Sequence, residues 1–547
     1  MFFSRDVRLS VIPERYGNDA YDIVNLFYTG EILRDTRGVG EEGADIGDIG
    51  TWEADTGGVD PEGAGTGDAD TSGADLICIT VTEDNFQIKT SFTDTYAGVF
   101  GAGAKRPYAV KMALYAMLKT RAALEQGGIS KRGGDTSGYG AEAMLLCEEL
   151  LSCGELLPWG ALTGIRPIKL YADLADDGFS NEEIVNRMLA TYDVTPDISK
   201  LCIQIASRQR DIIRGYSNSA DYMLYIGIPF CVSKCAYCSF PSDAHNKAAA
   251  YEVDYIGALT KELHYIAGVM RGAGRRARAV YIGGGTPTAL GLREFERFIY
   301  FVAELFGDDR PDEITVEAGR ADTIDAEKLS AVKVLAPAAD KLRLCINPQT
   351  MNPGTLELIG RRHTPGDVIR AFRLARDAGF DNINSDIIAG LPGESVGDFE
   401  NTLEAVAGLA PDSLTAHTLS IKRSSKLNEF TGRYSLPPAR ETAVMLEAAF
   451  RFASGRGMRP YYLYRQKNKI GNLANVGFAA DGAECAYNIH EMADKIDVLA
   501  AGAGAVSKFT DGNTGRIERV FNVKNLLEYI SRIDEMIKRK QTFFLHG

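Results

Sequence analysis

Hydrophobic and polar positions recur with two different periods along this chain, and each period predicts a different kind of element. Between residues 221 and 420, short apolar runs of strand length alternate with amphipathic stretches of helical length. The predicted strands are 222–229, 278–283, 312–317, 341–346, 382–388 and 412–419, and the predicted helices are 247–270, 291–306, 325–334, 353–377 and 395–408. Six β/α units in series predict parallel strands joined by right-handed crossovers. Since a closed barrel needs eight units, we expect an α/β protein with an open, partial (β/α)6 barrel, whose chemistry lies at the C-terminal ends of its strands.

The patterns on either side of this repeat predict two further regions. Val7–Ile12 alternates like a strand, and Asp75–Phe92 contains two alternating runs separated by a turn at 83–85, which is typical of a hairpin. Helical periodicity occurs at 19–28, 105–125 and 168–215. We therefore expect an N-terminal α+β region at 1–215, the barrel at 216–425, and a mostly helical C-terminal extension at 426–547 that would cover the substrate.

The net charge of −14 is concentrated in one segment. Residues 38–75 contain eleven Asp or Glu, eleven Gly and no Lys or Arg, and removing these eleven charges leaves only −3. A segment so rich in glycine and like charge buries too little apolar surface to offset its ordering entropy. We expect a disordered acidic insertion here. The segment matches neither an EF-hand loop nor a Gly-Asp nonapeptide repeat, so a calcium-binding role is disfavoured.

Cysteine usage and the distribution of apolar residues predict a cytoplasmic protein. The N-terminal Met-Phe-Phe-Ser-Arg-Asp lacks the apolar core of a signal peptide, and no apolar run is long enough to predict a membrane span. Three of the nine cysteines form a motif and the other six are scattered, as expected for reduced thiols in a cytosol. The sequence contains no basic tract interleaved with aromatic residues, so nucleic-acid binding is disfavoured.

The cysteine motif is Cys231-Val-Ser-Lys-Cys235-Ala-Tyr237-Cys238, and it follows the first barrel strand. Its spacing presents three thiolates from one short loop. A structural zinc site normally has a fourth Cys or His, whereas Ser239 follows the last cysteine here. A four-iron cluster held by three cysteines leaves one iron open to an outside ligand, which suits catalysis better than simple electron transfer. A zinc site completed from elsewhere in the chain and a chance grouping of three cysteines remain the alternatives at this point.

Polar residues also collect where the other predicted strands end. Gly283-Gly284-Gly285-Thr286 follows the second strand, and glycines there let the backbone approach a ligand closely. The remaining candidates are Glu317 after the third strand, Gln349 and Arg361 after the fourth, and Asp386 in the fifth. Each has a structural alternative, such as a rim salt bridge for a carboxylate. Charges gathered at one barrel mouth nevertheless favour a site.

The cysteine motif resembles the signature of the radical S-adenosylmethionine (SAM) superfamily, in which an aromatic residue precedes the last cysteine. Here that aromatic residue is Tyr237. The resemblance implies a [4Fe–4S] cluster held by Cys231, Cys235 and Cys238, whose open iron binds the amino and carboxylate groups of SAM. An electron from the cluster then cleaves SAM to a 5′-deoxyadenosyl radical.

The resemblance also implies SAM contacts at matching positions around the barrel mouth. Tyr225, six residues before the first cysteine, matches a cofactor-contacting tyrosine. The other matching positions are Tyr237, Gly284, Gly285, Thr286, Glu317, Gln349, Arg361, Asp386 and Val506. Some of these match the nucleoside end or a second cofactor molecule, so one or two SAM molecules are implied. Ser420 also matches a contact position, but weakly because it is a serine.

The order of the motifs more closely resembles the oxygen-independent coproporphyrinogen III oxidase family, and segments such as 461–468 and 501–508 resemble its HemZ-type members. This implies oxidative decarboxylation of coproporphyrinogen III propionates to vinyl groups, which gives protoporphyrinogen IX in haem biosynthesis. The implied partners are the porphyrinogen and a reduced electron donor such as flavodoxin or ferredoxin. Candidate cations for the substrate carboxylates are Arg166, Lys422, Arg423 and Arg465.

One departure from the oxidase pattern keeps a second function open. Oxidases often carry a further cysteine just after the motif, whereas Ser239-Phe240 is the pattern also seen in related haem chaperones. A chaperone that binds and delivers haem without decarboxylation is therefore the alternative.

Overall fold

The fold is that of a computed structural model of the chain. Besides five N-terminal strands, the structure describes residues 158–164, 166–216, 219–238, 240, 243–244, 249–421, 425–429, 435–465, 473–511 and 516–546. The chain divides into two compact units, one made of residues 1–163 and 187–198 and the other of residues 164–186 and 199–547. The predicted boundaries at 215 and 425 stay predictions. The acidic segment, apart from Asp75, and the helices predicted at 19–28 and 105–125 lie outside the described residues.

The first unit contains a five-stranded sheet. Its strands are β1 (Val7–Ile12), β2 (Ile32–Arg34), β3 (Asp75–Val81), β4 (Asn85–Thr90) and β5 (Tyr96–Val99). They lie in the order β2-β1-β3-β4-β5, with β1 parallel to both of its neighbours. The predicted strand at 7–12 is confirmed, and β3 and β4 form the predicted antiparallel hairpin.

Six parallel strands form the partial barrel of the second unit, and two very short strands form a separate pair. In chain order the strands are β6 (Asp221–Ile228), β7 (Phe230–Cys231), β8 (Asp243–Ala244), β9 (Arg276–Gly284), β10 (Glu313–Glu317), β11 (Lys341–Cys345), β12 (Ile383–Ala389) and β13 (Ser413–Thr418). β6, β9, β10, β11, β12 and β13 pair in that order, each parallel to the next. The predicted partial barrel is confirmed, and each barrel strand ends close to the predicted position.

The helices before and between these strands follow the predicted periodicity. They are α1 (Pro167–Asp176), α2 (Asn181–Tyr192), α3 (Pro196–Ile213), α4 (Glu252–Gly272), α5 (Leu292–Leu305), α6 (Ala326–Lys333), α7 (Pro353–Leu358), α8 (Pro365–Asp377) and α9 (Val396–Leu409). The single helix predicted at 353–377 is two helices, because Thr364 is extended, caps the second helix through a capping box with Asp367, and is followed by Pro365. The loop between α7 and α8 therefore reaches the barrel mouth.

The C-terminal region adds helices and also strands. Its elements are α10 (Lys426–Glu429), α11 (Ala439–Gly455), β14 (Arg459–Tyr464), β15 (Asn475–Ala479), α12 (Ala486–Ala493), β16 (Val498–Ala501), β17 (Val506–Thr510), β18 (Ile517–Phe521), α13 (Leu526–Ser531) and α14 (Ile533–His546). The strands extend the barrel sheet at both edges, in the order β14-β15-β13 on one side and β6-β16-β17-β18 on the other. The expectation of a mostly helical extension was therefore incomplete. These strands are short, and two of them, β15 and β16, are buried along their whole length, so their sequences show little alternation.

Alternate residues of the barrel strands face two different environments. Ile226, Ile282 and Val316 lie in the large apolar cluster that the barrel strands form with helices α4 to α6. The residues next to these in each strand are Tyr225, Tyr281 and Glu317. Adjacent strand residues point to opposite faces, so the other face of the sheet carries aromatic and polar groups. No helix among the described residues is long and apolar enough to cross a membrane.

Candidate cluster and cofactor site

The three motif cysteines follow β6: Cys231 ends the short strand β7, Cys235 and Cys238 lie in the loop after it, and none of the three forms a disulfide. Cys235 is buried, whereas Cys231 and Cys238 are half-buried. The Cys238 N–H donates to the Cys235 carbonyl at 3.1 Å, so the loop turns tightly between the last two thiols. Burial raises the pKa of the Cys238 thiol, and the neighbouring Cys235 and Cys231 raise it further. The three thiols are therefore close enough to influence one another electrostatically.

The loop between α7 and α8 supports the cysteine loop. The Ala236 N–H donates to the Ile359 carbonyl at 2.9 Å. The guanidinium of Arg361, which is 8% exposed, reaches both the Tyr237 hydroxyl and the Cys235 thiol. Two of the sequence-predicted positions, Tyr237 and Arg361, are therefore in direct contact.

The glycine-rich turn after β9 packs against the other end of the cysteine loop. The Gly285 N–H donates to the Ile228 carbonyl at 2.8 Å, and the Thr286 N–H donates to the Phe230 carbonyl at 2.7 Å. A Cβ on Gly285 would lie only 2.5 Å from the Phe230 oxygen. Gly284 has φ +102°, a conformation that side chains rarely adopt. The glycines are thus required by the close approach of two strand ends.

Thr286 and Tyr225 connect this turn to the thiols and to the barrel interior. Thr286 Oγ1 lies 3.6 Å from Cys231 Sγ. The ring of Tyr225 stacks with that of Tyr281, with centroids 6.4 Å apart. Burial raises the pKa of Tyr225, and the nearby Glu317 carboxylate raises it further. Tyr225 is therefore neutral, and its hydroxyl lies beside the glycine-rich turn, 3.0 Å from where a Cβ on Gly284 would be.

Glu317 lies at the end of β10, where two neighbouring side chains hold it. Its Oε1 accepts a hydrogen bond from the Tyr281 hydroxyl, and its Oε2 accepts one from Asn347 Nδ2 at 3.0 Å. Burial and the nearby Asp386 carboxylate raise the pKa of Glu317 to about 7, although these two hydrogen bonds oppose the shift. The carboxyl group is therefore partly protonated near neutral pH.

Asp386 lies on β12 in a different electrostatic environment. Its carboxylate accepts a hydrogen bond from Asn384 Nδ2 at 2.7 Å and lies 3.5 Å from His417 Nε2. The other ring nitrogen of His417 lies 3.4 Å from the Tyr464 hydroxyl. Burial opposes ionisation of Asp386, but the hydrogen bond and charge of His417 and the hydrogen bonds of Asn384 and Thr415 outweigh it, so the pKa lies below its usual range. Two neighbouring carboxyl groups thus differ in protonation near pH 7.

Gln349 has an unusual backbone conformation beside Asp386. Its φ of +67° lies in the left-handed region, which is uncommon for a residue other than glycine. Its N–H donates to the Asp386 carbonyl at 2.9 Å, and its carbonyl accepts from the Ile388 N–H at 2.9 Å. These two bonds hold the residue against β12, with its side chain only 7% exposed.

Val506 and Arg166 have surroundings different from those of the other predicted site residues. Val506 begins β17, is 36% exposed, and is separated from β6 by β16. Arg166 pairs with Asp494 and with Glu491, and Arg465 is 3% exposed. Arg166 is therefore engaged in ion pairs within the protein. Lys422 and Arg423 lie outside the described residues, and Ser420 is buried.

Comparison with known proteins gives the family of this chain. The family model described as "Radical SAM superfamily" matches residues 225–406. The chain is 38% identical over 392 residues to the oxygen-independent coproporphyrinogen-III oxidase-like protein HemZ of Bacillus subtilis (strain 168), a match that covers 71% of this chain and 77% of HemZ. The chain belongs to the HemZ family of radical SAM proteins.

More distant similarities lie within the same superfamily. The heme chaperone HemW of Bacillus subtilis (strain 168) is 29% identical over 314 residues, which are 57% of this chain and 76% of HemW. Among solved structures, the coproporphyrinogen III oxidase HemN of Escherichia coli matches with a TM-score of 0.45 and 23% identity, covering 61% of this chain and 73% of HemN.

Radical SAM proteins use a [4Fe–4S] cluster and SAM, and the donors present in this chain fit both groups. Among the described residues, no three His, Cys, Asp or Glu side chains converge on one point to hold a single metal ion. Three thiolates of a four-iron cluster bind three different irons, so they need not converge on a single point. Three buried polar atoms of this region also have no hydrogen-bond partner: Asn347 Oδ1, Gln349 Oε1 and Arg361 Nε. Atoms of this kind are suited to a bound ligand.

Four side chains of this region were missed by the sequence reasoning: Tyr281, Asn347, Arg320 and His417. Tyr281 and His417 lie on barrel strands at positions that alternate with apolar residues, and that alternation was the available signal. Asn347 and Arg320 lie in the loops after β11 and β10, where no periodicity predicts their direction. Each contacts a predicted position, namely Glu317, Asp386 or Cys235.

Proposed function

We propose that this protein is a coproporphyrinogen dehydrogenase, which decarboxylates two propionate side chains of coproporphyrinogen III to vinyl groups without oxygen and gives protoporphyrinogen IX. The observation that carries this proposal is the 38% identity to the oxidase-like HemZ over 392 residues. The grouping of three thiols, a glycine turn and two carboxyl groups at one barrel mouth supports it. The product would feed haem biosynthesis.

The cofactors would supply the reactive species, and the chain would hold and orient them. When bound, the cluster and SAM supply an adenosyl radical that removes a hydrogen atom from the β-carbon of a propionate. Cys231, Cys235 and Cys238 would hold the cluster. Carboxylates at Glu317 and Asp386 would accept hydrogen bonds from the cationic amino group or the ribose of SAM.

The remaining predicted contacts would complete the cofactor site. Tyr281 and Asn347 orient Glu317, and His417 keeps Asp386 ionised. The further contacts would come from Tyr225, Tyr237, Gly284, Gly285, Thr286, Gln349, Arg361 and Val506, some of them at a second SAM molecule. The barrel wall would exclude water from the reacting atoms.

The chemistry needs partners that the chain does not contain. Each propionate loses a hydrogen atom and CO2, and one further electron passes to an external acceptor. A reduced flavodoxin or ferredoxin would supply the electron that starts each turnover. Lys422 and Arg423 follow Ser420 at the end of β13 and are our candidates for binding the substrate carboxylates. We assign the protein to the cytoplasm, since the three motif cysteines and Cys202, Cys345 and Cys485 form no disulfide.

The test is anaerobic reconstitution followed by incubation with dithionite, SAM and coproporphyrinogen III. The proposal predicts 5′-deoxyadenosine, CO2 and protoporphyrinogen IX, with harderoporphyrinogen as the singly decarboxylated intermediate. A reconstituted protein that cleaves SAM but leaves coproporphyrinogen III unchanged would contradict it.

The similarity to HemW favours a haem chaperone as the second candidate. A chaperone would bind haem in a fixed ratio to the chain and would release no CO2 from coproporphyrinogen III. Titration of the reconstituted protein with haem, followed by absorbance, separates the two functions. Stoichiometric, tight haem binding without decarboxylation would favour the chaperone.

A further inference from the structure

Arg320 is a buried cation beside one of the three loop thiols. It is 2% exposed, and its Nη1 lies 3.8 Å from Cys235 Sγ and donates to Ser233 Oγ at 3.1 Å. Its Nε and Nη2 each donate to the Asp322 carboxylate at 3.0 Å. This bidentate pair fixes the plane of the guanidinium, so the N–H that points to the sulfur is held in place.

Arg361 brings a second guanidinium to the same thiol. Its Nη1 donates to the Gly319 carbonyl at 3.1 Å and to the Asn347 carbonyl at 2.5 Å, and the side chain reaches Cys235. Neutral carbonyl groups leave the charge of Arg361 in place. Of the three motif cysteines, Cys235 is the buried one, with 8% exposure.

The surroundings of the three thiols therefore differ. Cys231 lies beside the neutral hydroxyl of Thr286 at 3.6 Å, whereas two buried cations reach Cys235. A positive charge acts more strongly at a buried position than at an exposed one, because the effective dielectric constant there is lower. Any effect of the protein charge on a bound cluster should consequently act mainly through Cys235.

We propose that Arg320, together with Arg361, raises the reduction potential of the cluster through Cys235, and that Arg320 is a positioning residue for this thiolate. The reduced cluster carries one more negative charge than the oxidised cluster. Hydrogen bonds to a ligand sulfur and nearby cations therefore stabilise the reduced form more than the oxidised form. The electron comes from the external reductant, such as dithionite or a reduced flavodoxin, and stays on the cluster when SAM is absent.

Three variants of this ion pair separate the roles of charge and geometry. Arg320→Gln removes the cation and leaves the Asp322 carboxylate unpaired near the cluster. Arg320→Gln combined with Asp322→Asn removes both charges, and Arg320→Lys keeps the positive charge but loses the bidentate pair. The measurement is an anaerobic redox titration of the reconstituted protein without SAM, followed by electron paramagnetic resonance.

The expected effects follow the order of these charge changes. In Arg320→Gln the ratio of reduced to oxidised cluster at a fixed potential should fall about tenfold, which is about 59 mV for one electron. The double variant should show a smaller fall and Arg320→Lys the smallest. A matched control is Arg275→Gln with Asp497→Asn, an ion pair of 2.9 Å before the start of β9, at the other end of the nine-residue strand. Its potential should equal that of the wild type.

The titration decides the proposal even when one variant loads poorly. Iron and sulfide content and circular dichroism are measured first, and only variants with wild-type cluster content are titrated. If Arg320→Gln loses the cluster, the double variant and Arg320→Lys carry the test. Potentials equal to the wild type in every loaded variant would overturn the proposal. Because no porphyrinogen is needed, a failure of the proposed decarboxylation would leave this result unaffected.

Discussion

The two sides of the barrel mouth carry opposite charge. On the side of the cysteine loop, the cations Arg320 and Arg361 contact Cys235. On the side formed by β10 and β12, the mouth presents the carboxyl groups of Glu317 and Asp386. Each side suits the group that we assign to it, since cations stabilise an anionic thiolate cluster and carboxylates bind the ammonium group and ribose of SAM.

Asn347 links the two sides. Its carbonyl accepts a hydrogen bond from Arg361 at 2.5 Å, and its amide donates to Glu317 at 3.0 Å. A single residue in the loop after β11 therefore orients one cation of the cluster side and one carboxyl group of the cofactor side. The positions of the two halves of the site are therefore coupled through Asn347, although the halves differ in charge.

Removing any one of the three motif thiols should abolish cluster binding completely. Replacement of Cys231, Cys235 or Cys238 by alanine should eliminate the cluster absorbance and 5′-deoxyadenosine formation, because two remaining thiolates cannot hold a four-iron cluster with one open site. Iron and sulfide analysis after anaerobic reconstitution checks this. Cys202→Ala is the matched control, because Cys202 is also a buried free thiol but lies on α3, and it should keep the full cluster. Normal cluster content in all three motif variants would contradict the assignment.

Gly285→Ala should disturb the contact between the glycine-rich turn and the cysteine loop. The added Cβ would lie 2.5 Å from the Phe230 carbonyl oxygen and 2.8 Å from that of Ile228, so the cysteine loop would move away from β9. Overpacking of this kind costs about 1–3 kcal/mol, and we expect reduced cluster content together with a lower melting temperature. Gly257→Ala on α4 is the control, because a Cβ there has no close neighbour. Equal cluster content and melting temperature in both variants would show that the close approach has no consequence.

Neutralising Glu317 or Asp386 should weaken the binding of SAM and leave the cluster intact. Glu317→Gln and Asp386→Asn keep the shape of the side chains and remove the charge. A charge-assisted hydrogen bond is worth about 1.5–3 kcal/mol, so the affinity for SAM should fall about ten- to a hundredfold. Anaerobic titration of the reconstituted variants with SAM measures this. The exposed Asp340→Asn serves as the control, and wild-type affinity in both site variants would assign these carboxyl groups to structure alone.

The pH dependence should distinguish the two carboxyl groups by a smaller effect. The pKa of Glu317 is raised to about 7, so its negative charge appears as the pH rises through that value. Affinity for the cationic SAM should therefore increase several-fold between about pH 6 and 8, and Glu317→Gln should flatten this increase. Asp386 has a lowered pKa and is ionised throughout this range, so Asp386→Asn should keep an increase with pH but move it to lower pH, because the Asp386 charge contributes to the raised pKa of Glu317.

The stability of the free protein should change with pH in the opposite direction. The pKa of Glu317 in the folded state lies above its usual value of 4.5, so its stabilising contribution is complete below that value and is lost as the pH rises through about 7. Chemical denaturation of the wild type and of Glu317→Gln between these pH values checks the sign. A wild type that gains stability relative to the variant as the pH rises would contradict the raised pKa.

The sequence predicted the barrel well and its charged surroundings only in part. The barrel strands were predictable because buried strands alternate with amphipathic crossover helices, and the motif positions Glu317 and Asp386 followed from where those strands end. The C-terminal edge strands were not predictable, since they are four to six residues long and none has a burial pattern that alternates along its length. Arg320 and His417 were missed because their contacts with Cys235 and Asp386 join segments that are 85 and 31 residues apart in sequence.

Coproporphyrinogen III that carries deuterium on the β-carbons of its propionate side chains provides the most direct test of the proposed function. The reconstituted protein is incubated anaerobically with this substrate, SAM and dithionite, and 5′-deoxyadenosine is analysed by mass spectrometry. We predict that deuterium is transferred into 5′-deoxyadenosine and that CO2 is released in parallel. Formation of 5′-deoxyadenosine without deuterium, together with unchanged substrate, would contradict the assignment of this protein as a coproporphyrinogen dehydrogenase.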